Sequence, residues 1–183
     1  AVNGTVQVTG LVASITVTNP EAANDTLTIN GLLGNDTMSG GAGLAALTKL
    51  TLDGGDGNDT LIGGIGADTF IGGEGNDTID GNGGNDSAQL GAGDDTFVWD
   101  PGDGSDSIEG EAGADTMRFN GAAGAEQVDL SANGQRLKFF RVQANITMDT
   151  AGVETVDFNA IGGADTVTVN DLSGTDVRAV DVD

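Results

Sequence analysis

The chain has 183 residues, of which 29 are acidic and 6 are basic, and its formal net charge is −23. This charge argues against nucleic acid and anionic membranes as partners, because both require a basic surface. Cysteine and histidine are absent, which excludes disulfides and thiolate metal sites and removes the commonest zinc ligand and the usual general base. No run of about 18 apolar residues occurs, so no membrane-spanning helix or membrane insertion is predicted.

The N-terminal part, residues 1–53, is predicted to form wide β-strands. Residues 2–18 alternate between apolar and polar side chains, which is typical of a strand. Residues 25–36 read DTLTINGLLGND: a strand of five or six residues, a glycine-bearing turn and a second Asp eleven positions after the first. Residues 37–53 interrupt this rhythm, and we expect a turn at 40–43 followed by a loop and a short strand at 49–52.

The central part, residues 54–118, is built from short tandem repeats. Residues 54–80 read GGDGNDTLI, GGIGADTFI and GGEGNDTID, three copies of G-G-x-G-x-D-x-U-x in which U is apolar. A fixed short period indicates a solenoid. Each copy predicts a three-residue strand with its middle side chain inward, followed by a six-residue turn. The sixth-position acid recurs through degraded later copies, at Asp59, Asp68, Asp77, Asp86, Asp95, Asp106 and Asp115.

The C-terminal part, residues 119–183, returns to the wide units, with eleven-residue spacings that begin at Asp115, Glu154 and Asp165. Residues 127–153 do not fit this pattern. Asn133-Gly134 is a strong signal for a two-residue hairpin turn, and half of the basic residues lie here: Arg136, Lys138 and Arg141. We expect a hairpin that covers the side of the solenoid, with its basic residues paired to nearby acids; a partner-binding patch is the alternative.

The spelling of the repeats favours calcium. Glycine permits the positive φ angles of tight turns and lets backbone carbonyls approach an ion, and calcium takes six to eight oxygens at about 2.3–2.6 Å in a forgiving geometry that magnesium does not share. With two strands per turn of the solenoid, Asp59 would stack over Asp77 and Asp68 over Asp86. Two carboxylates about 5 Å apart repel by roughly 3 kcal/mol at an effective dielectric near 20. Metal binding is therefore expected to be coupled to folding.

These repeats resemble the repeats-in-toxin (RTX), or hemolysin-type, calcium-binding family, closely over residues 54–118 and more weakly in the flanks. The resemblance implies an all-β fold, a right-handed parallel β-roll or β-helix solenoid, with several calcium ions between its loops. It also implies type I secretion and folding on extracellular calcium. The missing N-terminal secretion signal agrees with this, and we expect the chain to be a piece of a longer protein.

By the family pattern, the sixth-position acids and the carbonyls of positions two to four bind the metal. This maps onto Gly55, Gly57, Asp59, Gly64, Gly66, Asp68, Gly73, Gly75, Asp77, Gly84, Asp86, Gly91, Gly93, Asp95, Gly102, Gly104, Asp106, Gly113 and Asp115. Departures from the consensus weaken the last four loops, at Asn82, Leu90, Pro101 and Glu111. The turn acids of the wide units, Asp36, Asp165 and Asp176, are at least as simply explained as caps of their own turns.

We therefore expect a non-enzymatic, calcium-binding structural module of a secreted or cell-surface bacterial protein. Its expected partners are calcium ions and neighbouring modules of a larger chain; a surface or carbohydrate partner is left open. The alternative is a carbohydrate-binding accessory module or a β-helix polysaccharide-modifying enzyme, with Phe97 and Trp99 stacked on sugar. A third reading is an ice-binding face, which requires regular outward threonines; Thr60, Thr69 and Thr78 begin such an array and Ser87 ends it.

Overall fold

A computed structural model describes residues 25–41 and 49–183. The strand predicted at 2–18 and the loop predicted before residue 49 lie outside these residues. The described part consists of β-strands and one short 3-10 helix, Gln143–Asn145. No helix within it is long and apolar enough to cross a membrane.

The chain forms two sheets and passes from one to the other at each half turn. The first sheet begins with five parallel strands: β1 (Thr26–Leu33), β3 (Lys49–Asp56), β5 (Thr69–Glu74), β7 (Ser87–Ala92) and β9 (Ser107–Ala112). The second sheet is parallel throughout: β2 (Thr37–Ser39), β4 (Thr60–Ile62), β6 (Thr78–Asp80), β8 (Thr96–Trp99), β10 (Thr116–Asn120), β14 (Thr155–Asn159) and β16 (Ala179–Val182). The fold is therefore the all-β parallel roll that the repeats predict.

The register places equivalent repeat positions side by side. Thr60 pairs with Thr78, and Thr69 pairs with Ser87, so that two nonapeptides make one coil. The middle residue of each short strand points inward, and Leu61, Phe70 and Ile79 are fully buried between the sheets. Residues 37–39, where the sequence predicts a break in the rhythm, instead form β2 and extend the second sheet.

The predicted three-residue strands are found only in the second sheet. In the first sheet the pairing continues through the glycines of the next repeat, so that β5 runs from Thr69 to Glu74. Gly55 and Gly73 lie in register and are part of the ladder. The six-residue turn that the sequence predicts is therefore shortened wherever the chain leaves the first sheet.

The insertion is placed differently from the prediction. β11 (Gln127–Asn133), β12 (Arg136–Arg141) and β13 (Ile146–Ala151) form an antiparallel meander inside the first sheet, between β9 and β15 (Thr166–Val169). The hairpin exists, but its turn residues are 134 and 135, with Gly134 at φ 69°, and it does not cover the side of the roll. Leu130, Leu137 and Phe139 explain this position, because alternate apolar side chains give each strand one face that only the core can bury.

Outward hydroxyl residues form one file on each sheet, and the file on the second sheet is longer than expected. On the first sheet the file contains Thr28, Thr51, Thr69, Ser87 and Ser107. Thr69 and Ser87 lie on the first sheet, so they do not continue the line of Thr60 and Thr78. The file on the second sheet contains Thr37, Thr60, Thr78, Thr96, Thr116 and Thr155. The outward file beside it is irregular: Ser39, Ile62, Asp80, Val98, Arg118 and Asp157. The hydroxyl array is therefore one file wide.

Candidate metal centre

The loops between the sheets lie along two edges of the roll. The first edge holds the loops that lead from the first sheet into the second: 34–36, 57–59, 75–77, 93–95, 113–115, 152–154 and 170–178. The second edge holds the loops that lead back: 63–68, 81–86, 100–106, 121–126 and 160–165. Each predicted sixth-position acid is the last residue of one of these loops, so the acids form two files along the axis of the roll.

The first-edge acids form a continuous hydrogen-bonded file. The backbone N–H of Asp59 donates to Oδ1 of Asp77 at 2.8 Å, and the N–H of Asp77 donates to Oδ1 of Asp95 at 2.7 Å. The same bond joins Asp36 to Asp59 before them. It also joins Asp95 to Asp115 and Asp115 to Glu154 after them. The predicted stacking of Asp59 over Asp77 is confirmed.

The second-edge file is shorter. The N–H of Asp68 donates to Oδ1 of Asp86 at 2.8 Å, and the N–H of Asp86 donates to Oδ1 of Asp106 at 2.9 Å. This confirms the predicted stacking of Asp68 over Asp86. Beyond Asp106 the inserted strands interrupt the file, and the bond from Glu126 to Asp165, 2.8 Å, lies on their far side.

Most of these carboxylates carry one oxygen that has no partner within the described residues. The orphaned, buried atoms are Oδ2 of Asp36, Asp59, Asp77, Asp86, Asp95 and Asp115. Glycine at the first repeat position provides the space, since a Cβ on Gly72 would lie 2.5 Å from Oδ2 of Asp77. A buried carboxylate oxygen without a partner is costly, and a proton or a cation would relieve that cost.

Burial and mutual repulsion raise the pKa of several acids on both edges. On the first edge, burial is the largest cause and the neighbouring acids add to it, so that the pKa of Asp77 and that of Asp115 rise to about 6. On the second edge, the same causes raise the pKa of Asp86 to about 8 and that of Asp106 to about 7. Each of these four carboxyls therefore holds a proton more tightly than an ordinary Asp does.

Backbone carbonyls accompany the carboxylates. A Cβ on Gly73 would collide with the carbonyl oxygen of Gly55, and a Cβ on Gly75 with that of Gly57. The carbonyls of the second and fourth repeat positions therefore point along the axis into the space between neighbouring loops. The same relation continues for Gly91, Gly93 and Gly113 on the first edge and for Gly66, Gly84 and Gly104 on the second.

Two of the predicted glycines do not join this stack. A Cβ on Gly102 would meet nothing within 4 Å, because the turn that follows Pro101 carries it away from the neighbouring loop. Gly64 is also not packed tightly against the neighbouring loop. A Cβ there would make only ordinary contacts of 3.6 Å, to Oδ2 of Asp68 and to the carbonyl oxygen of Gly41. The N–H of Gly64 donates to Oδ2 of Asp68 at 2.8 Å, so this acid has no orphaned oxygen.

Sequence reasoning missed two features. Asp36 belongs to the first-edge file although its unit is spelled like a wide flank; the G-x-x-G-N-D-T pattern of residues 31–37 was the available signal. The fifth repeat position forms a second, exposed ladder, in which Oδ1 of Asn58 accepts from the N–H of Asn76 and Oδ1 of Asn76 from that of Asp94, both at 3.0 Å. The recurring Asn-Asp pair was its signal.

The donor set suits a hard cation with mixed ligands. Among residues 25–41 and 49–183, no three acidic side chains converge closely enough to hold a metal by themselves. An ion at these edges would therefore need carbonyl oxygens besides the orphaned carboxylate oxygens. Calcium accepts that mixture, in which six to eight oxygens of both kinds contribute.

The comparisons with known proteins point the same way. The family model of the RTX calcium-binding nonapeptide repeat matches in four copies, at residues 28–43, 51–79, 71–98 and 102–125. A search of curated proteins finds no match. The first copy includes Asp36 and the last ends beside Glu126. The chain is a member of the RTX calcium-binding nonapeptide repeat family, and these repeats make it a calcium-binding structural module.

Proposed function

We propose that the module binds calcium ions between successive loops on both edges, and that this binding completes its folding outside the cell. The observation that carries the proposal is the set of six buried carboxylate oxygens that have no hydrogen-bond partner among residues 25–41 and 49–183. A protein core does not tolerate six buried carboxylate oxygens without hydrogen-bond partners unless another group compensates for their lost hydration. A divalent cation would neutralise them and would also use the carbonyls that point between the loops.

Each ion would lie between two stacked loops and take the sixth-position carboxylates and the carbonyls of the second and fourth positions. The sequence suggests five loop pairs: 59/77, 77/95 and 95/115 on the first edge, and 68/86 and 86/106 on the second. The file adds the pair 36/59. Asp59, Asp77 and Asp95 would then each contact two ions, which makes the first edge a continuous chain of alternating charges.

The charge of the chain explains why calcium would act as a folding switch. At −23 the ion-free chain repels itself, and short strands such as Thr60–Ile62 and Thr78–Asp80 bury one side chain each. Binding free energy is then folding free energy. Extracellular calcium modules bind at about 10⁻⁴–10⁻³ M, which suits a protein that is exported unfolded and folds after secretion. A structural, non-enzymatic role fits such a module.

The side chains that would serve the carbohydrate alternative are engaged elsewhere. Phe97 and Trp99 are buried in the core, where Trp99 stacks on Phe119 with ring centroids 3.9 Å apart. The guanidinium groups of Arg136 and Arg141 are held in ion pairs with acids of the module. These positions support a structural role for the residues that a sugar site or a lyase would need on its surface.

A titration of the metal-stripped chain with calcium tests the proposal. Circular dichroism should show a cooperative gain of β-structure at about 10⁻⁴–10⁻³ M calcium. Magnesium at the same concentration should produce no such gain, because it requires a smaller octahedral shell. A spectrum that is fully β before calcium is added, or that responds equally to magnesium, would contradict the proposal.

A further inference from the structure

The second-edge file of acids ends where the insertion begins. After β9 the next strand of the first sheet is β13, and the chain enters β13 through Val142 to Asn145, a segment without an acid. The neighbour of β13 is β12, whose direction is reversed. The C-terminal end of β12 therefore occupies the place on this edge where a metal-binding loop would otherwise stand, and its last residue is Arg141.

Arg141 is buried and directed at the next acid in line. Its Nε donates to Oε1 of Glu126 at 2.5 Å and its Nη1 donates to the carbonyl of Gln143 at 2.9 Å. The guanidinium carbon lies 5.5 Å from the centre of the Trp99 ring, within the range of a cation–π contact. Arg141 is 8% exposed and Glu126 is 1% exposed, so solvent contributes little to either charge.

Glu126 differs from the sixth-position acids of the calcium loops. It ends the loop before β11, as Asp86 ends the loop before β7, but both of its oxygens have partners. Oε1 accepts from Arg141 and Oε2 accepts from the N–H of Ala122 at 3.0 Å. Within residues 116–183 the only buried polar side-chain atom without a partner is the hydroxyl of Thr150, and no carboxylate is orphaned.

The residues around Arg141 and Glu126 have basic side chains and a cluster of aromatic rings that can stabilise them. We call residues 116–183 the C-terminal body. Five of the six basic residues of the chain lie within it: Arg118, Arg136, Lys138, Arg141 and Arg178. Its core holds a group of buried rings around Phe119, which lies 4.4 Å from Phe139 and 6.0 Å from Phe158 between centroids. The short strands Thr60–Ile62 and Thr78–Asp80 of the nonapeptide region bury one aliphatic side chain each instead.

We propose that Arg141 is a resident cation that takes the place of calcium on the second edge, so that the C-terminal body folds without metal. The inference rests on the proposed calcium sites, because it assigns to Arg141 the neutralising role that calcium has elsewhere. A guanidinium is charged at every relevant pH and presents fixed donors to a carboxylate. The charge of Glu126 is thereby compensated before any calcium is present.

The rival explanation is that Arg141 is only a spacer that packs against Trp99. The two roles differ in what happens to Glu126. If Arg141 is the counter-charge, its loss leaves a buried, unpaired carboxylate, which is strongly destabilising, and removal of the charge on Glu126 restores the fold. If Arg141 is a spacer, the charge state of Glu126 has no influence on the outcome.

Hydrogen exchange of the whole chain, followed by peptide in metal-stripped buffer and again in calcium, tests the proposal. In the unmodified protein, peptides within 127–169 are expected to be protected without metal. Arg141→Met should reduce that protection by about a hundredfold or more, as for other broken buried ion pairs. The matched control Arg136→Gln removes a more exposed guanidinium from Glu109 and Asp149 and should change protection by less than about fivefold.

The double variant Arg141→Met with Glu126→Gln decides between the two roles. Recovery of protection to within about tenfold of the unmodified chain supports the resident cation, since neither buried charge remains. Three results would overturn it: peptides 127–169 unprotected until calcium is added, equal effects of the two single variants, or no recovery in the double variant. Failure of the proposed calcium sites would show in other peptides, those within 57–95, as protection that does not depend on calcium.

Discussion

The two edges of the roll carry the same kind of acid at the same repeat position but differ in regularity. On the first edge the file runs unbroken from Asp36 to Glu154, and it contains five of the six orphaned carboxylate oxygens. On the second edge the file ends after Asp106, and the only orphaned oxygen among the described residues belongs to Asp86. A repeat spelling therefore does not ensure equal sites, because the local backbone decides which oxygens remain available.

Backbone geometry explains much of the difference. On the first edge the second and fourth positions have positive φ in successive coils, as at Gly55 and Gly57 or Gly73 and Gly75. On the second edge this regularity is lost, with a left-handed Asn82 in one loop and a turn after Pro101 in the next. We infer that the first edge is the more uniform series of calcium sites.

The largest effect is expected for Gly73→Ala on the first edge. A Cβ there would meet the carbonyl of Gly55 and would impose a side chain on a residue with φ 116°. The free energy of unfolding in calcium should fall by about 3 kcal/mol. The control is Gly102→Ala on the second edge, where φ is 126° but nothing lies within 4 Å. It should cost about 1–2 kcal/mol from backbone strain alone. Urea denaturation measures both free energies of unfolding. Equal losses for the two variants would contradict the proposed difference in packing between the edges.

The second effect concerns Asp77→Asn and Asp68→Asn, one acid from each edge. Oδ2 of Asp77 is orphaned beside two other acids, so Asn should stabilise the metal-free form and yet raise the calcium midpoint about tenfold or more. The carboxylate of Asp68 already accepts a hydrogen bond from the N–H of Gly64. In Asp68→Asn the side-chain NH2 would face that N–H, so two donors would oppose each other. The variant should therefore be less stable both with and without calcium. Thermal unfolding in both conditions measures this. The same sign for both variants without calcium would contradict the comparison.

The third effect is the pH dependence of the metal-free form. A carboxyl whose pKa is raised on folding stabilises the fold fully below its unfolded value of 3.8, and this stability is lost as the pH rises through the folded value. The loss should begin near the unfolded value and be complete near pH 6 for Asp77 on the first edge and near pH 8 for Asp86 on the second. Unfolding midpoints of metal-stripped protein, measured from about pH 4 to about pH 9, should therefore decline with pH, more steeply below about pH 6 than above it. Asp86→Asn should reduce the decline above about pH 6, and a midpoint that rises with pH would refute the assignment.

The smallest effect is expected at Glu111, near the end of β9 beside the first edge, the one charged residue with a left-handed φ, 70°, among the described residues. Glu111→Gly should raise the free energy of unfolding in calcium by about 1 kcal/mol through relief of backbone strain. Glu111→Ala is the control, because it removes the charge but keeps the Cβ, and it should bring no such gain. If Glu111→Ala raises the free energy of unfolding as much as Glu111→Gly does, charge repulsion rather than backbone strain destabilises this position.

The repeat period was sufficient to predict the roll, the inward residues such as Leu61, and the stacking of Asp59 over Asp77. These follow from local spelling, because a strand of fixed length and a turn of fixed length determine which positions lie side by side. The place of the insertion could not be predicted in this way. The outer strands of the insertion, β11 and β13, pair with β15 and β9, which lie far along the chain. An alternating pattern records which face of a strand is buried but not which neighbour covers it.

The inequality of the loops could be predicted only in part, since departures such as Asn82 and Pro101 mark two second-edge loops but nothing in the sequence marks the loop of Gly64. Gly64 and Gly73 occupy the same repeat position, yet only Gly73 has a positive φ and stacks against the carbonyl of the preceding coil. Likewise, the sequence indicates that Arg141 lies near acids but not that it is buried against Glu126. Both features depend on how neighbouring coils meet, which is a property of the assembled roll.

A crystal structure grown in calcium tests the central claim most directly, through the anomalous signal of the bound ions. The account predicts ions between successive first-edge loops, with Oδ2 of Asp59, Asp77 and Asp95 at about 2.3–2.6 Å from calcium and the remaining ligands mainly carbonyl oxygens. Ions that bind only exposed acids such as Asp56 and Glu74, with those Oδ2 atoms still without a partner, would contradict it.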